Sequence, residues 1–246
     1  MHDETRVRPA RPHTGLTPDG RRLAQVTTYT RRGSRLTDRQ ADAWARLSPV
    51  WWIPDEAADD PGFDPAGWFG REAPLVVEIG SGVGEATVAL AGARPSYNVL
   101  AFEVWRPGVA ETLGRLEEAG VDNVRLISVD AVWSMEFLLG PESVSELWTF
   151  FPDPWPKKRH HRRRLVNATF ASVAASRLLP GALWRLATDW PDYAAQMRAV
   201  LDGEPRLENL HDGPAPRWRE RPVTRFERRA RRAGRPIVDL AYRRRG

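Results

Sequence analysis

The 246-residue chain contains no cysteine, and only two of its 37 basic residues are lysines. Without cysteine it can form no disulfide scaffold, thiolate metal site, iron–sulfur cluster or cysteine nucleophile, and the absence fits a reducing cytoplasm. No apolar run reaches the roughly 18 residues of a membrane span. The N-terminus (MHDETRVRPARPHTG) lacks the apolar core of a secretory signal. We therefore expect a cytoplasmic protein with no membrane segment.

The composition and charge of the chain favour a folded domain with a polyanionic partner. Eleven Trp and eight Phe exclude wholesale disorder, and the length suits one α/β domain. Most positive charge lies in three segments: residues 1–39 with nine Arg against four acids, 157–164 with six cations and no acid, and 217–246 with twelve Arg against three acids. Clustered like charges cost stability unless an anion compensates them, so a polyanion is favoured over three merely solvated faces.

Alternating apolar runs and helical stretches predict an α/β fold. Residues 1–35 are predicted to form a flexible basic arm, and residues 36–246 a single domain that starts with a helix capped by Thr37. Residues 55–73 are predicted to be a loop. Strands are predicted at 75–80, 98–104, 124–131, 145–151 and 182–189, with helices between them, one of which covers 163–179. Two later strands, RLENL and IVDLAYR, would complete a doubly wound, mostly parallel seven-stranded sheet with helices on both faces.

A glycine turn and three acids indicate a nucleoside ligand. The turn E-I-G-S-G-V-G follows the first strand and contributes Gly80, Gly82 and Gly84; the acids, which stand before the turn and at the ends of strands two and three, are Glu78, Glu103 and Asp130. Ligands bind at the carboxyl ends of parallel strands, where a carboxylate can accept hydrogen bonds from a ribose diol. The G-x-G-x-G spacing differs from that of dinucleotide binders, and the chain has no G-x-x-x-x-G-K-[ST] motif of an NTPase. Glu78 would repel a pyrophosphate, which favours S-adenosylmethionine over NAD.

The loop after strand four carries the most specific motif, F-F-P-D-P-W-P-K-K-R-H-H-R-R-R (150–164). Asp153 is expected to face the ligand cleft between prolines that stiffen the loop, and Trp155 offers a surface on which a base can stack. The cations are expected at the start of the next helix, where they oppose the helix dipole unless phosphates compensate them. His160 and His161 are embedded in this basic run, so we expect no metal site there.

This loop closely resembles the signature of the tRNA (guanine-N7)-methyltransferases, a family of class I S-adenosylmethionine-dependent enzymes with a Rossmann-like fold. Other segments resemble the same family: RRGSRLTDRQ (31–40), EIGSGVG with FEVWRPGV, LATDWPDYA (186–194) and RPVTRFERRARRAGRPIVDLAYRR (221–244). The resemblance covers about residues 26–246. Ala230 stands where the family usually has Gly, and the first 25 residues have no assigned counterpart.

The resemblance implies a role for each matching residue. Glu78, Glu103 and Asp130 would bind S-adenosylmethionine together with Gly80, Gly82 and Gly84, and Asp153 would be catalytic and also touch the cofactor. The residues implied to contact the substrate are Lys157, Arg162, Asp189, Thr224, Arg225, Phe226 and Glu227. That substrate would be a variable-loop guanosine of tRNA, conventionally position 46.

Other functions remain open from the sequence. The main alternative is an S-adenosylmethionine-dependent methyltransferase that acts on another RNA. A dinucleotide-dependent oxidoreductase is disfavoured by Glu78, and a non-catalytic RNA-binding module leaves the cofactor half of the chain unexplained. Oligomeric state and the tRNA species modified are not determined by the sequence.

Overall fold

The computed structural model of the protein describes residues 27–30 and 33–246. Most of the predicted arm, residues 1–35, therefore lies outside the described residues. The first helix begins after Thr37, as predicted. Thr37 Oγ1 accepts from the backbone N–H of Gln40, whose side chain accepts from the backbone N–H of Thr37 in return. This reciprocal pair satisfies two free N–H groups at the helix start.

Seven strands form one sheet in the order β3-β2-β1-β4-β5-β7-β6. The strands are β1 (Leu75–Ile79), β2 (Asn98–Phe102), β3 (Val124–Ile127), β4 (Val144–Phe150), β5 (Leu178–Thr188), β6 (Leu207–Asn209) and β7 (Val238–Arg244). Strands β1 to β5 pair in parallel, whereas β7 runs antiparallel to both β5 and β6. The mostly parallel, doubly wound α/β sheet of the sequence prediction is confirmed.

Helices cover both faces of the sheet. They are α1 (Asp38–Trp51), α2 (Pro65–Phe69), α3 (Glu85–Gly92), α4 (Arg106–Ala119), α5 (Ala131–Phe137), α6 (Ala168–Arg177), α7 (Pro191–Asp202) and α8 (Arg225–Arg232). Apolar side chains of α5, α6 and α7 pack on one face, and those of α1, α3 and α4 pack on the other. Burial on both faces explains why the central strands are continuous apolar runs.

Three local predictions were wrong. Residues 55–73 are not a plain loop, since they contain a 3₁₀ helix (Asp55–Asp59) and α2, which Asp64 caps at its start. The basic run is not the start of α6: it forms its own 3₁₀ helix (Lys158–Arg163), and α6 begins after the cap residue Asn167. The intervening Leu165 and Val166 are buried and not helical, so the core rather than the charge decides where α6 begins. Strand β5 starts at Leu178, earlier than predicted, with a register shift opposite β4.

The chain order places a crevice at the centre of the sheet. From β1 the chain passes to β2 and β3 on one side, then returns to β4 on the other side of β1. The connections leave the carboxyl ends of β1 and β4 in opposite directions, and ligands of such sheets bind in the gap this creates. Within the described residues, no helix has both the length and the apolar character needed to cross a membrane.

Candidate active site

The glycine turn after β1 adopts backbone conformations that favour glycine. Gly80, Gly82 and Gly84 have φ angles of 79°, 64° and 76°, in the left-handed region. A Cβ on Gly84 would lie 2.5 Å from Thr112 Cγ2, and one on Gly108 would lie 2.2 Å from the carbonyl oxygen of Gly82. The absence of side chains at Gly84 and Gly108 therefore lets α4 pack directly against the turn, and the predicted contact of the turn with a ligand stays a prediction.

Glu103, which follows β2, binds the glycine turn and lines the central cleft. Its Oε2 accepts from the backbone N–H of Gly82 at 2.6 Å, and its Oε1 accepts from that of Trp105 at 2.8 Å. A carboxylate can accept from several donors at once, and a ribose diol supplies two hydroxyl donors. Glu103 is thus fixed in orientation and suited to a ribose diol.

Glu78 lies beneath the turn in a pocket of unsatisfied polar atoms. Glu78 is 2% exposed, and Glu78 Oε2 and Ser81 Oγ have no hydrogen-bond partner among the described residues. Burial raises the pKa of Glu78 to about 7; the Thr87 side chain opposes this rise and the negative charge of Glu103 adds to it. A buried carboxylate oxygen without a hydrogen-bond donor is stabilised by a cationic group, so this pocket fits the positively charged S-adenosylmethionine.

Asp130 is a helix cap at the edge of the same cleft. Its Oδ1 accepts from the backbone N–H groups of Val132 and Trp133 at 3.0 and 3.1 Å, at the start of α5. Its chain neighbours Val129 and Ala131 line the cleft. The structure thus gives Asp130 a structural role, and its predicted contact with the cofactor stays a prediction.

Two adjoining cavities open at the carboxyl ends of the central strands. The larger, of about 880 Å³ and partly open to solvent, is lined by Gly80, Glu103 and Asp153 among others. The smaller, of about 310 Å³, is lined by Glu78 and Thr224. Phe151 and Phe226 line both cavities; their rings are nearly parallel, at 15°, with centroids 6.4 Å apart. Residues predicted from separate motifs therefore meet around one space.

The loop after β4 is held in a strained conformation. Phe151 and Trp155, which flank the Pro-Asp-Pro segment, have φ angles of 52° and 45°. Bulky residues rarely adopt this left-handed region, and each instance costs on the order of 1–3 kcal/mol. Two contacts compensate: the Phe151 N–H donates to Ala187 O at 2.7 Å, and the Arg163 guanidinium lies 3.6 Å from the centre of the Trp155 ring. Such strain is typical of functional sites.

Residues 27–30 of the predicted arm pack against this loop. The Thr30 N–H donates to Asp153 Oδ2 at 2.6 Å, and Trp155 Nε1 donates to Thr28 O at 3.0 Å. Arg163 donates to the carbonyl oxygen of Thr27 and to its hydroxyl. Sequence reasoning missed these contacts, because this segment has no apolar periodicity or motif that marks it as packed.

The basic run divides into outward and inward cations. Lys157 and Arg162 are exposed, and neither has a partner among the described residues. Arg163 and Arg164 instead turn inward, and Arg164 is only 1% exposed. Asp189, at the end of β5, is bound by Arg235 at 2.8 Å. The prediction that the whole run faces a polyanion is therefore wrong for the buried Arg164, and it stays a prediction for the half-buried Arg163.

The residues predicted to contact the substrate at the start of α8 also differ in their exposure. Arg225 and Phe226 are half-buried; the Arg225 guanidinium lies 5.5 Å from the Trp105 ring centre, and Phe226 lines the cleft. Thr224 is a buried cap that accepts from the N–H of Glu227. Ala230, at the position of the family glycine, is buried inside the helix, where alanine fits without strain.

Glu227 has no exposed surface with which to meet a substrate. Its side chain is 0% exposed and binds the guanidinium groups of Arg217, Arg221 and Arg231. These hydrogen bonds and charges hold the pKa of Glu227 below its ordinary value despite its burial. The predicted direct contact of Glu227 with the substrate is therefore corrected to a role in fixing α8.

No group of three or more His, Asp or Glu side chains arranged to hold a metal ion occurs in the part of the chain that the structure describes. The two histidines of the basic run make separate contacts. The His160 ring contacts the Trp155 ring edge-on, and His161 Nε2 lies 3.7 Å from Asp192 Oδ2.

Comparisons with known proteins agree with this site. The family described as "Putative methyltransferase" matches residues 72–240. A tRNA (guanine-N(7)-)-methyltransferase of Nocardioides sp. is 65% identical over 100% of this chain and 98% of its own length. The tRNA (guanine-N(7)-)-methyltransferase of Cutibacterium acnes is 48% identical over 89% of this chain and 83% of its own length. That of Bordetella pertussis is 44% identical over 92% of this chain and 88% of its own length.

Two solved structures share the fold at low sequence identity. TrmN from Thermus thermophilus is 17% identical with a TM-score of 0.52, covering 84% of this chain and 52% of its own. A mutant 16S rRNA (adenine(1408)-N(1))-methyltransferase from Catenulisporales acidiphilia, with cosubstrate SAM, is 16% identical with a TM-score of 0.50. The match covers 87% of this chain and 95% of that protein's chain. Together with the full-length identity to curated relatives, the glycine turn, the three acids and the Pro-Asp-Pro-Trp loop around one cleft show that this chain belongs to the tRNA (guanine-N7)-methyltransferase family.

Proposed function

We propose that this protein transfers the methyl group of S-adenosylmethionine to N7 of a guanosine in the variable loop of tRNA, conventionally position 46. Family membership supports the reaction and the tRNA substrate. The observation that carries the proposal is that Asp153 lines the same cleft as Glu103 and the glycine turn. A carboxylate placed beside a cofactor site, on a loop with a basic extension, suits a nucleobase that becomes cationic.

The cofactor is held by the glycine turn and its acids. Glu103 would bind the ribose hydroxyls, and the Glu78 carboxylate, whose Oε2 has no hydrogen-bond partner among the described residues, would attract the positive charge of the ligand. Asp130 contributes from the edge of the cleft, next to Val129 and Ala131. When bound, S-adenosylmethionine supplies an electrophilic methyl group on a sulfonium.

Asp153 acts by placement and charge rather than by proton abstraction. Guanine N7 carries a free lone pair, so no proton leaves before attack, and in-line positioning supplies several kcal/mol. Asp153 accepts hydrogen bonds from the guanine N–H groups, and its charge stabilises the positive charge that develops on the base. The Thr30 N–H, 2.6 Å from Oδ2, fixes the orientation of the carboxylate.

Exposed cations bind the RNA backbone. Lys157 and Arg162 on the loop, and Arg229 and Arg232 on α8, are exposed and have no carboxylate partner among the described residues. Arg225 and Phe226 line the approach to the cleft. Phosphate contacts of this kind set affinity and position the substrate without reading its sequence. A tRNA substrate places the protein in the cytoplasm.

The test uses tRNA transcribed without modifications and S-adenosylmethionine labelled in its methyl group. We expect labelled 7-methylguanosine after digestion to nucleosides, and none from the same tRNA with guanosine 46 replaced by adenosine. Label in a different nucleoside would contradict N7 transfer. Undiminished label in the replaced tRNA would contradict the position, and labelling of ribosomal RNA but not tRNA would favour a methyltransferase for another RNA.

A further inference from the structure

Arg164 is the last cation of the basic run and is buried against the loop that carries Asp153. Its Nε donates to the Pro154 carbonyl oxygen at 2.9 Å, one NH₂ group to Gln196 Oε1 at 2.7 Å, and the other to Asp192 Oδ2 at 2.5 Å. The guanidinium carbon lies 4.9 Å from the centre of the Tyr193 ring. With a side chain 1% exposed, Arg164 offers no surface to an RNA phosphate.

The Pro-Asp-Pro loop has few means of holding itself in place. Pro152, Pro154 and Pro156 have no N–H group. Among the described residues, no backbone-to-backbone hydrogen bond involves residues 152–156. The backbone carbonyl of Pro154 depends on Arg164 for its hydrogen bond. The loop is therefore positioned by contacts from outside it: residues 28 and 30 bind Asp153 and Trp155, and Arg164 connects the Pro154 carbonyl to the helical side of the domain.

Helix α7 supplies the rigid end of that connection. Asp192 and Gln196 stand one turn apart on α7, and the Tyr193 hydroxyl of the same helix accepts from the Val166 N–H at 3.0 Å. The Arg164 guanidinium in turn holds the pKa of Asp192 below its ordinary value, so this ion pair is intact at neutral pH. A planar guanidinium can donate to three acceptors in fixed directions. A lysine ammonium also has three N–H donors, but they rotate on a flexible stem and do not form a rigid fork.

We propose that Arg164 is a positioning residue for methyl transfer, which fixes Asp153 by holding the adjacent Pro154 carbonyl against α7. This inference rests on the proposed function, because it concerns the placement of Asp153 toward the base. A displacement of about 1 Å at a reacting centre can cost on the order of a hundredfold in rate. Loss of Arg164 therefore lowers turnover without weakening cofactor or tRNA binding.

The experiment compares Arg164→Gln and Arg164→Lys with Arg94→Gln in the full-length protein. Arg94 is the control, because it forms a largely buried ion pair with Glu146 near the start of β4, whereas the loop follows the end of that strand. For both Arg164 variants we expect kcat to fall about 10- to 100-fold, with KM for tRNA, its salt dependence and the affinity for S-adenosylmethionine within about threefold of wild type. Arg164→Lys keeps the charge and recovers stability but not kcat. Arg94→Gln loses stability but keeps kcat.

A third variant covers the case in which both Arg164 variants fail to fold. Asp192→Asn removes the negative charge that pairs with Arg164, at a side chain that is 64% exposed, and we expect a smaller fall in kcat at unchanged KM. Wild-type kcat in a folded Arg164 variant, or in Asp192→Asn when neither Arg164 variant folds, would overturn the inference. So would a loss confined to tRNA affinity, which would make Arg164 a phosphate contact. Wild-type protein that forms no 7-methylguanosine would instead refute the proposed function itself.

Discussion

At the scale of the residue, Asp153 combines a strained loop with a preorganised carboxylate. The prolines on either side limit its backbone, and the Thr30 N–H holds one of its oxygens. A carboxylate fixed before the substrate arrives needs little reorganisation during the reaction. Phe151 and Trp155 have positive φ angles, which persist only where surrounding contacts hold the backbone in place. Backbone strain of this kind is concentrated at functional sites, which agrees with a fixed carboxylate at Asp153.

Asp153→Asn tests this role at constant size. The change removes the negative charge and converts one acceptor into a donor, so we expect turnover to fall about a hundredfold or more. The melting temperature Tm should change little, because Asp153 is a half-buried cleft residue with a single hydrogen-bond partner in the described structure. Methylation assayed at saturating tRNA is the measurement. A near wild-type rate would remove Asp153 from the mechanism.

Glu78 makes the stability of the cofactor-free protein depend on pH. Its pKa is about 7 in the folded state, against an ordinary value of 4.5, so the folded protein keeps a proton that the unfolded chain releases between these values. The free energy of unfolding therefore falls as pH rises through this window, by up to about 3 kcal/mol. The free energy of unfolding of Glu78→Gln should not show this fall. The measurement is urea unfolding of both proteins at about pH 5 and pH 8, which gives the change in the free energy of unfolding with pH for each. Parallel pH profiles would contradict the assignment.

At the scale of the element, α8 is attached to the cofactor half of the molecule by Glu85 of α3. Glu85 accepts from the Arg225 N–H and from the Arg228 side chain, at 2.5 and 2.6 Å. These bonds hold the pKa of Glu85 below its ordinary value although partial burial opposes them. Through them, the ring of Phe226 is kept over the glycine turn, 3.6 Å from the position of a Cβ on Gly82.

Glu85→Gln is expected to loosen α8 without unfolding the domain. It weakens two charge-assisted bonds, so amide hydrogen exchange in residues 225–232 should accelerate, and kcat/KM for tRNA should fall about tenfold. Glu111→Gln is the control, since Glu111 of α4 forms an ion pair with Arg39 of α1, away from α8. Equal exchange rates in α8 for both variants would show that Glu85 does not hold this helix.

At the scale of the whole molecule, the segregated charge predicts a salt-dependent RNA affinity beside a salt-independent cofactor affinity. Each phosphate neutralised by a cation contributes about 0.7–0.9 to the slope of log affinity against log salt concentration. Arg162→Gln should therefore lower that slope by about one, and Arg229→Gln combined with Arg232→Gln by about two. Filter binding of tRNA across salt concentrations, with S-adenosylmethionine titrated in parallel, is the measurement. An unchanged slope would make these cations solvated surface only.

Strands, glycine turn and motif residues were predictable, because each depends on short-range patterns. The runs around Val77, Leu100 and Leu147 are apolar because both faces of the sheet are covered, and that pattern is visible in the chain itself. The acids Glu78 and Glu103 could be placed because strand ends in a parallel sheet meet at one edge. The start of α6 could not, since it depends on the burial of Leu165 and Val166 against elements distant in sequence.

The sequence by itself determined the fold class, the position of the central cleft and the family, because hydrophobic periodicity, glycine geometry and a rare loop motif are local properties. Only the tertiary structure decided which charged side chains are available for binding. Arg162 and Arg164 are equivalent in the sequence, yet one is exposed and the other is buried against Pro154, Asp192 and Gln196. Glu227 likewise became a buried partner of three arginines. The physical reason is that a charge is buried only where partners from other elements satisfy it, and those partners meet only in the folded chain.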